Sequence, residues 1–174
     1  MPVATGCAAL VDFLDGYACT GSLVLDDTVV LSTKAWSTTS LLPLWVPGGT
    51  RGTNLTLPQV FGTVPYPLRI HEAEHALPML VTGCWDADGD PYDDDLIGLQ
   101  ANLTYLANAL FAPGDPVTGC FDAELTMPDT TSRTGLLQVR AFTLGEPDQR
   151  SNGVFWRATL SVVLPQGWLI EAGS

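Results

Sequence analysis

The sequence predicts a mainly β fold, an antiparallel β-sandwich with one flanking α-helix at about 95–111. Three observations predict it. Only one stretch carries a long helical period: Leu99, Leu103, Leu106 and Leu110 recur at spacings of four, three and four, with Leu96 three residues before. Strand-like alternation of apolar and polar residues recurs elsewhere, most clearly where Val154, Trp156, Ala158, Leu160, Val162 and Leu164 share one face. The composition, 46% apolar with 17 Gly and 13 Pro, fits a turn-rich globular β protein and is too apolar for disorder. A leucine stripe cannot stay in water, and the partner on offer is sheet. At 174 residues the chain suits one domain, long enough to bury about 70% of its unfolded surface.

Taken in order, residues 1–22 are ambiguous: Ala8 to Leu14 suits a short strand or a helical turn, and Gly16 and Gly21 break either. Next, Leu23-Val24-Leu25 and Val29-Val30-Leu31 flank Asp26-Asp27, a hairpin pattern whose turn lacks the glycine of the best two-residue loops. The stretch Leu41 to Gly62 differs in kind. Pro43, Pro47 and Pro58 oppose a central strand or helix, and Gly48, Gly49 and Gly52 permit sharp reversals around Arg51. Yet it carries Leu42, Leu44, Trp45, Val46, Leu55 and Leu57. Such an apolar extended arm packs over the sheet or docks on another subunit. Pro65 to Thr82 is extended.

The helix follows. Asp93, Asp94 and Asp95 precede it, where a carboxylate accepts orphan backbone N–H groups and favours the positive end of the dipole. Gln100, Asn102, Thr104 and Asn108 make its polar face with Tyr105 at the edge, and Pro113 and Gly114 stop it. It spans roughly 25 Å at about 1.5 Å per residue. Beyond it, Cys120 to Met127 alternates as a strand and Pro128-Asp129 marks a turn. Gly135 to Leu144 and Val154 to Leu164 form an antiparallel pair joined by the loop Gly145 to Gly153.

Seven Lys plus Arg stand against 19 Asp plus Glu, a formal charge of −12. Duplex affinity rests on cations that neutralise phosphates, so this chain repels nucleic acid rather than binding it. Two readings of the acidity stand: solubility, or a surface that nucleic acid passes without sticking. No apolar run approaches the ~18 residues of a membrane span. The N-terminus has no basic region and meets Asp12 and Asp15 early, so it makes a poor signal peptide. Cys7, Cys19, Cys84 and Cys120 form no CxxC pair, and the reading is four buried thiols in a reducing cytoplasm. The sequons at Asn54 and Asn102 then carry no meaning.

Two motifs invoke metals. His71-Glu72-Ala73-Glu74-His75 matches H-E-x-x-H, which binds zinc when a helix puts both imidazoles on one face. Here it sits in an extended context between Pro67 and Pro78, where His71 and His75 stand about 13 Å apart at ~3.3 Å per residue, too far to share an ion. Asp86, Asp88 and Asp90 imitate the start of an EF-hand loop, but Pro91 occupies the place of the turn glycine and Ile97 the twelfth position. That leaves a looser calcium site or an exposed acidic turn. No Ser-His-Asp order, P-loop or GxGxxG occurs, so no enzyme, metal or cofactor is expected.

An ordered set of short motifs does point to a family. Ala35-Trp36, Pro43-Leu-Trp45-Val-Pro47, Arg51-Gly52, Leu57-Pro58 and Gly62 come first. Leu77-Pro78-Met-Leu-Val81-Thr-Gly83, the aspartate-rich turn, Gly98-Leu-Gln-Ala-Asn102-Leu-Thr-Tyr-Leu106 and Met127-Pro128-Asp-Thr-Thr-Ser-Arg133-Thr134-Gly135 follow. Together these resemble distal tail proteins of siphophages from actinobacterial hosts, over approximately Leu23 to Gly167. The resemblance implies a tail-tube-like fold and a single ring-forming domain over 1–174. It implies a hexameric ring at the tail tip, between the tail tube protein above and the hub protein below, with DNA passing through unbound. It implies a virion protein, held in the host cytoplasm before assembly, with receptor binding left to other tip proteins. It also makes the arm at about 41–62 a subunit contact, with Trp45, Val46, Arg51, Leu55 and Leu57 as interface candidates.

Overall fold

The first hairpin closes on two residues that pay for their conformation with contacts. In the computed structural model, which describes residues 21–45, 50–51, 55–56, 63–64, 69–70, 72–149 and 154–171, strand β1 (Ser22–Leu25) pairs with β2 (Val29–Val30) through Val24↔Val30 and Leu25↔Val29. Asp26 and Asp27 adopt φ of 49° and 57°. Successive left-handed residues suit a hairpin turn, and aspartate tolerates them better than most side chains. Asp26 is then locked from outside. Its Oδ1 accepts from the Asp122 amide at 2.7 Å, its Oδ2 accepts from the Gly114 amide at 2.7 Å, and its own N–H donates to the Asp122 carbonyl at 2.8 Å. One side chain ties the hairpin to a neighbouring strand and to the segment after the helix.

The remaining elements are β3 (Trp36–Thr38), β4 (Thr50–Arg51), β5 (Leu55–Thr56), β6 (Thr63–Val64), β7 (Arg69–Ile70), β8 (Ala73–Thr82), helix α1 (Asp95–Leu110), β9 (Phe121–Thr126), β10 (Ser132–Pro147), β11 (Phe155–Leu164) and β12 (Ile170–Glu171). The main sheet runs in the order β2-β1-β9-β10-β11-β8-β3, with β12 paired to β10, and its pairings are antiparallel. The ends of this path meet: Ser32 bridges Ser37, and the Thr38 amide donates to the Leu31 carbonyl at 3.1 Å. The sheet therefore folds over on itself as the sandwich expected from the sequence. Strand β10 serves both halves, bending at register shifts between Val139 and Ala141 and between Leu144 and Pro147.

Alternation in the strands decides which side chains are inside. Leu23 and Leu25 of β1, Phe121, Ala123 and Leu125 of β9, Leu77, Met79 and Val81 of β8, and Ala158, Leu160, Val162 and Leu164 of β11 belong to one buried cluster. Pro78 lies in β8 between two neighbours without breaking the ladder. In an antiparallel strand a residue's N–H and C=O point to the same side. The Pro78 carbonyl accepts from Thr39, just past the end of β3, so the missing N–H removes no bond to β11.

Helix α1 follows the expected bounds to within one residue, capped by Asp94, whose Oδ1 accepts from the Leu96 and Ile97 amides at 2.9 and 3.0 Å. Its buried face differs from the leucine stripe. Leu99, Leu106 and Leu110 are inside, but Leu96 is 68% exposed and Leu103 is half-buried. Gly98 and Asn102 take the inner positions instead. The cause is close approach. A Cβ on Gly83, just beyond β8, would stand 1.7 Å from the Asp95 carbonyl, and one on Gly98 would stand 2.1 Å from the Gly83 carbonyl. The first turn thus presses against the end of β8 through two glycines, which rotates Leu96 outward.

Asn102, placed on the polar face by its chemistry, is 2% exposed. Its amide donates to the Thr82 and Trp85 carbonyls at 2.6 and 2.8 Å, and its Oδ1 accepts from the Tyr92 hydroxyl at 3.4 Å. The cysteine reading also needs correction. Cys120 is a buried thiol, but Cys84 is disulfide-bonded. Wide spacing in sequence did not reveal this, because folding sets which thiols meet. The strand boundaries shift as well: β10 continues through Gly145–Pro147, the first residues of the loop expected at Gly145 to Gly153.

Candidate assembly surface

The segment expected as an arm at about 41–62 divides into two parts. Its first residues belong to the core: Leu41 and Leu44 are 0% and 1% exposed, and Leu42–Trp45 winds as a single 3-10 turn that accepts Pro43 near its start. Trp45 is half-buried. Its carbonyl accepts from Arg133 Nη1 at 2.8 Å, while its indole N–H is buried without an acceptor among the described residues. Beyond this anchor the backbone makes two short antiparallel ladders, β4 with β7 (Thr50↔Ile70, Arg51↔Arg69) and β5 with β6 (Leu55↔Val64, Thr56↔Thr63). The second ladder nests inside the first with a register offset of one residue. Among the described residues, the pairings of this stretch therefore reach past Gly62 to Ile70. Arg51 and Leu55 lie on its outgoing side, and Val46 and Leu57 fall outside the described residues.

A second apolar surface, missed from sequence, lies on α1. Leu96, Leu99, Leu103 and Ala107 line a shallow groove along the helix, with Gln100, Thr104 and Asn108 at its sides. Ile97, 65% exposed, and Phe111, 53% exposed, extend the apolar area at the two ends. Tyr105 lies on Trp36, ring centroids 5.3 Å apart at 23°. The signal was present in the sequence, since a five-leucine stripe with a glycine inside the helix announces a close contact that cannot hold every leucine.

The metal motifs resolve into structure. Glu72 precedes β8, and Ala73, Glu74 and His75 lie within it, so the HEAEH stretch is extended where it is described; His71 is outside those residues. His75 is half-buried opposite Val162, its Nε2 without a partner among the described residues, and burial lowers its pKa. In the acidic turn, Asp86 Oδ1 accepts from the Asp88 and Asp90 amides at 3.0 and 2.8 Å, an arrangement that holds a turn. Among the described residues no three His, Cys, Asp or Glu side chains are grouped to hold a metal. No described helix is long and apolar enough to cross a membrane.

No family model and no curated protein matches this chain. Solved structures do. The fold is similar to the crystal structure of the Dit protein (gp 19.1) of phage SPP1, described as a paradigm of the hub adsorption apparatus in phages infecting Gram-positive bacteria, with a TM-score of 0.50 and 18% identity. The match covers 84% of this chain and 50% of that one, so this chain spans about half the length of its neighbour. At that identity the likeness is one of fold: a mainly antiparallel β architecture with one α-helix among the described residues, as in a phage tail protein.

Proposed function

We propose that this chain is a structural, non-enzymatic component of a bacteriophage tail. In this reading it forms a hexameric ring at the distal end, between the tail tube above and the tip hub below. The observation that carries the proposal is the fold shared with a phage hub protein over 84% of the chain. Three features support the finer position. The ordered motifs from Ala35 to Gly135 resemble distal tail proteins. The hairpin arm rooted at Trp45 suits contact with a neighbouring protomer, with Trp45, Val46, Arg51, Leu55 and Leu57 as interface candidates. With 7 cations against 19 acids, a ring of these chains offers little for DNA phosphates to grip as the genome passes.

Immunogold labelling of intact particles with antibodies to this chain tests the position. Gold confined to the tail tip is the expected result. Gold along the tube would make the chain a tube ring, and unlabelled particles would overturn the tail reading altogether.

A further inference from the structure

A closed ring built head to tail needs two different surfaces on every copy, one to give and one to receive. Two open strand edges at opposite sides of the sheet meet that need. We propose that the free edge of β10 in one copy of this chain pairs with the free edge of β8 in the next. The inference rests on the ring reading proposed above and adds to it a contact besides the arm.

Both edges are visible in the ladders. Strand β9 pairs with β10 over residues 132–137; from Val139 onward β10 has β11 on one side and, among the described residues, no strand on the other. Strand β3 covers β8 only at residues 79–81, which leaves 73–77 open on that side. Along β8 the Thr82 amide donates to the Ala35 carbonyl and the Pro78 carbonyl accepts from the Thr39 amide, so even-numbered residues turn their backbone groups toward the open side. The same parity leaves the N–H and C=O of Glu74 and Ala76 without a partner among the described residues. Such an edge is a template for another strand.

Charge and direction select a second copy as that strand. Arg140 is the extra residue of the bulge between Val139 and Ala141, exposed and with no ion-pair partner among the described residues. Glu72 and Glu74 are exposed at the open end of β8. Strands β10 and β8 each run antiparallel to β11, and so parallel to one another. Rotation about a ring axis preserves direction and height, so the next copy's β10 meets β8 in parallel. With strands close to the ring axis, it arrives near the level it holds in its own sheet. There Val139 is level with His75 through Val162, and Phe142 with Leu77 through Leu160. That level sets Arg140 beside Glu74, across a strand spacing of about 4.8 Å. Backbone bonds give the contact its strength, and the opposite charges fix its register.

The test is photo-cross-linking of the full chain with a benzophenone amino acid at the exposed Ala76, on an equal mixture of unlabelled and nitrogen-15-labelled protein. Mixed-isotope peptides joining this site to residues 138–144 are the expected result. Charge reversal at exposed positions supplies a second readout by sedimentation velocity. Arg140→Glu should weaken self-association by about tenfold with an unchanged circular dichroism spectrum, and adding Glu74→Arg should restore most of it. Oligomers whose mixed-isotope cross-links fall elsewhere would overturn the edge pairing and leave the ring reading standing. Self-association that ignores both charge reversals would overturn the Arg140–Glu74 register. A chain that stays monomeric throughout, with no link between copies, would overturn pairing and ring together.

Discussion

Asn102 shows how one side chain can hold a junction that no stripe predicts. It fills the angle between α1 and the end of β8, where its amide donates to the Thr82 and Trp85 carbonyls. Asn102→Leu keeps about the size and removes all three of its hydrogen bonds, so urea denaturation should show a loss of about 1–3 kcal/mol. His75 makes a prediction of different form. Burial lowers its pKa from 6.5, so as pH falls the unfolded chain takes the proton first. Stability from this residue is level above pH 6.5 and declines as pH falls from there toward the lowered folded value. The urea midpoint should fall between pH 7.5 and pH 5.5, and His75→Gln should flatten that slope; an unchanged slope would assign it to other groups. Composition places Asn102 on the polar face, and burial decides it differently, because burial depends on neighbours distant in sequence.

At the scale of elements, periodicity carried most of what could be known. The helix, its aspartate cap and the β10–β11 pair were legible because their signals are local: spacing, a carboxylate before an apolar run, alternation. The pairing of Arg51 with Arg69 was not, since it spans a stretch whose prolines and glycines hide its strands. The depth of each leucine was not legible either, because the Gly83–Gly98 approach that rotates the helix is a tertiary contact. Depth has a measurable consequence. Leu106→Ala, at 0% exposure, should cost about 2–5 kcal/mol, whereas Leu103→Ala should cost clearly less. Equal losses would place Leu103 in the core after all. For the arm, Trp45→Ala should leave the fold's circular dichroism unchanged and weaken self-association. A variant that assembles like the parent would remove Trp45 from the interface.

For the whole molecule, the sheet path returns on itself through Ser32–Ser37, and α1 packs against β8. That architecture follows from strands whose inward residues share a single cluster. The sequence contained the class of fold and, through its ordered motifs, a resemblance to tail proteins. Where in a particle such a protein sits enters only through that resemblance, because position is a property of the assembly and not of the fold. The disulfide at Cys84 was equally hidden, since pairing follows from the folded path and not from spacing.

The most direct measurement is an electron cryomicroscopy reconstruction of the intact phage particle, with this chain fitted into the tail density. The account predicts a ring of copies at the distal end of the tube, each arm resting on the next protomer, around a bore wide enough for DNA. Density that excludes the chain from the tail would contradict it.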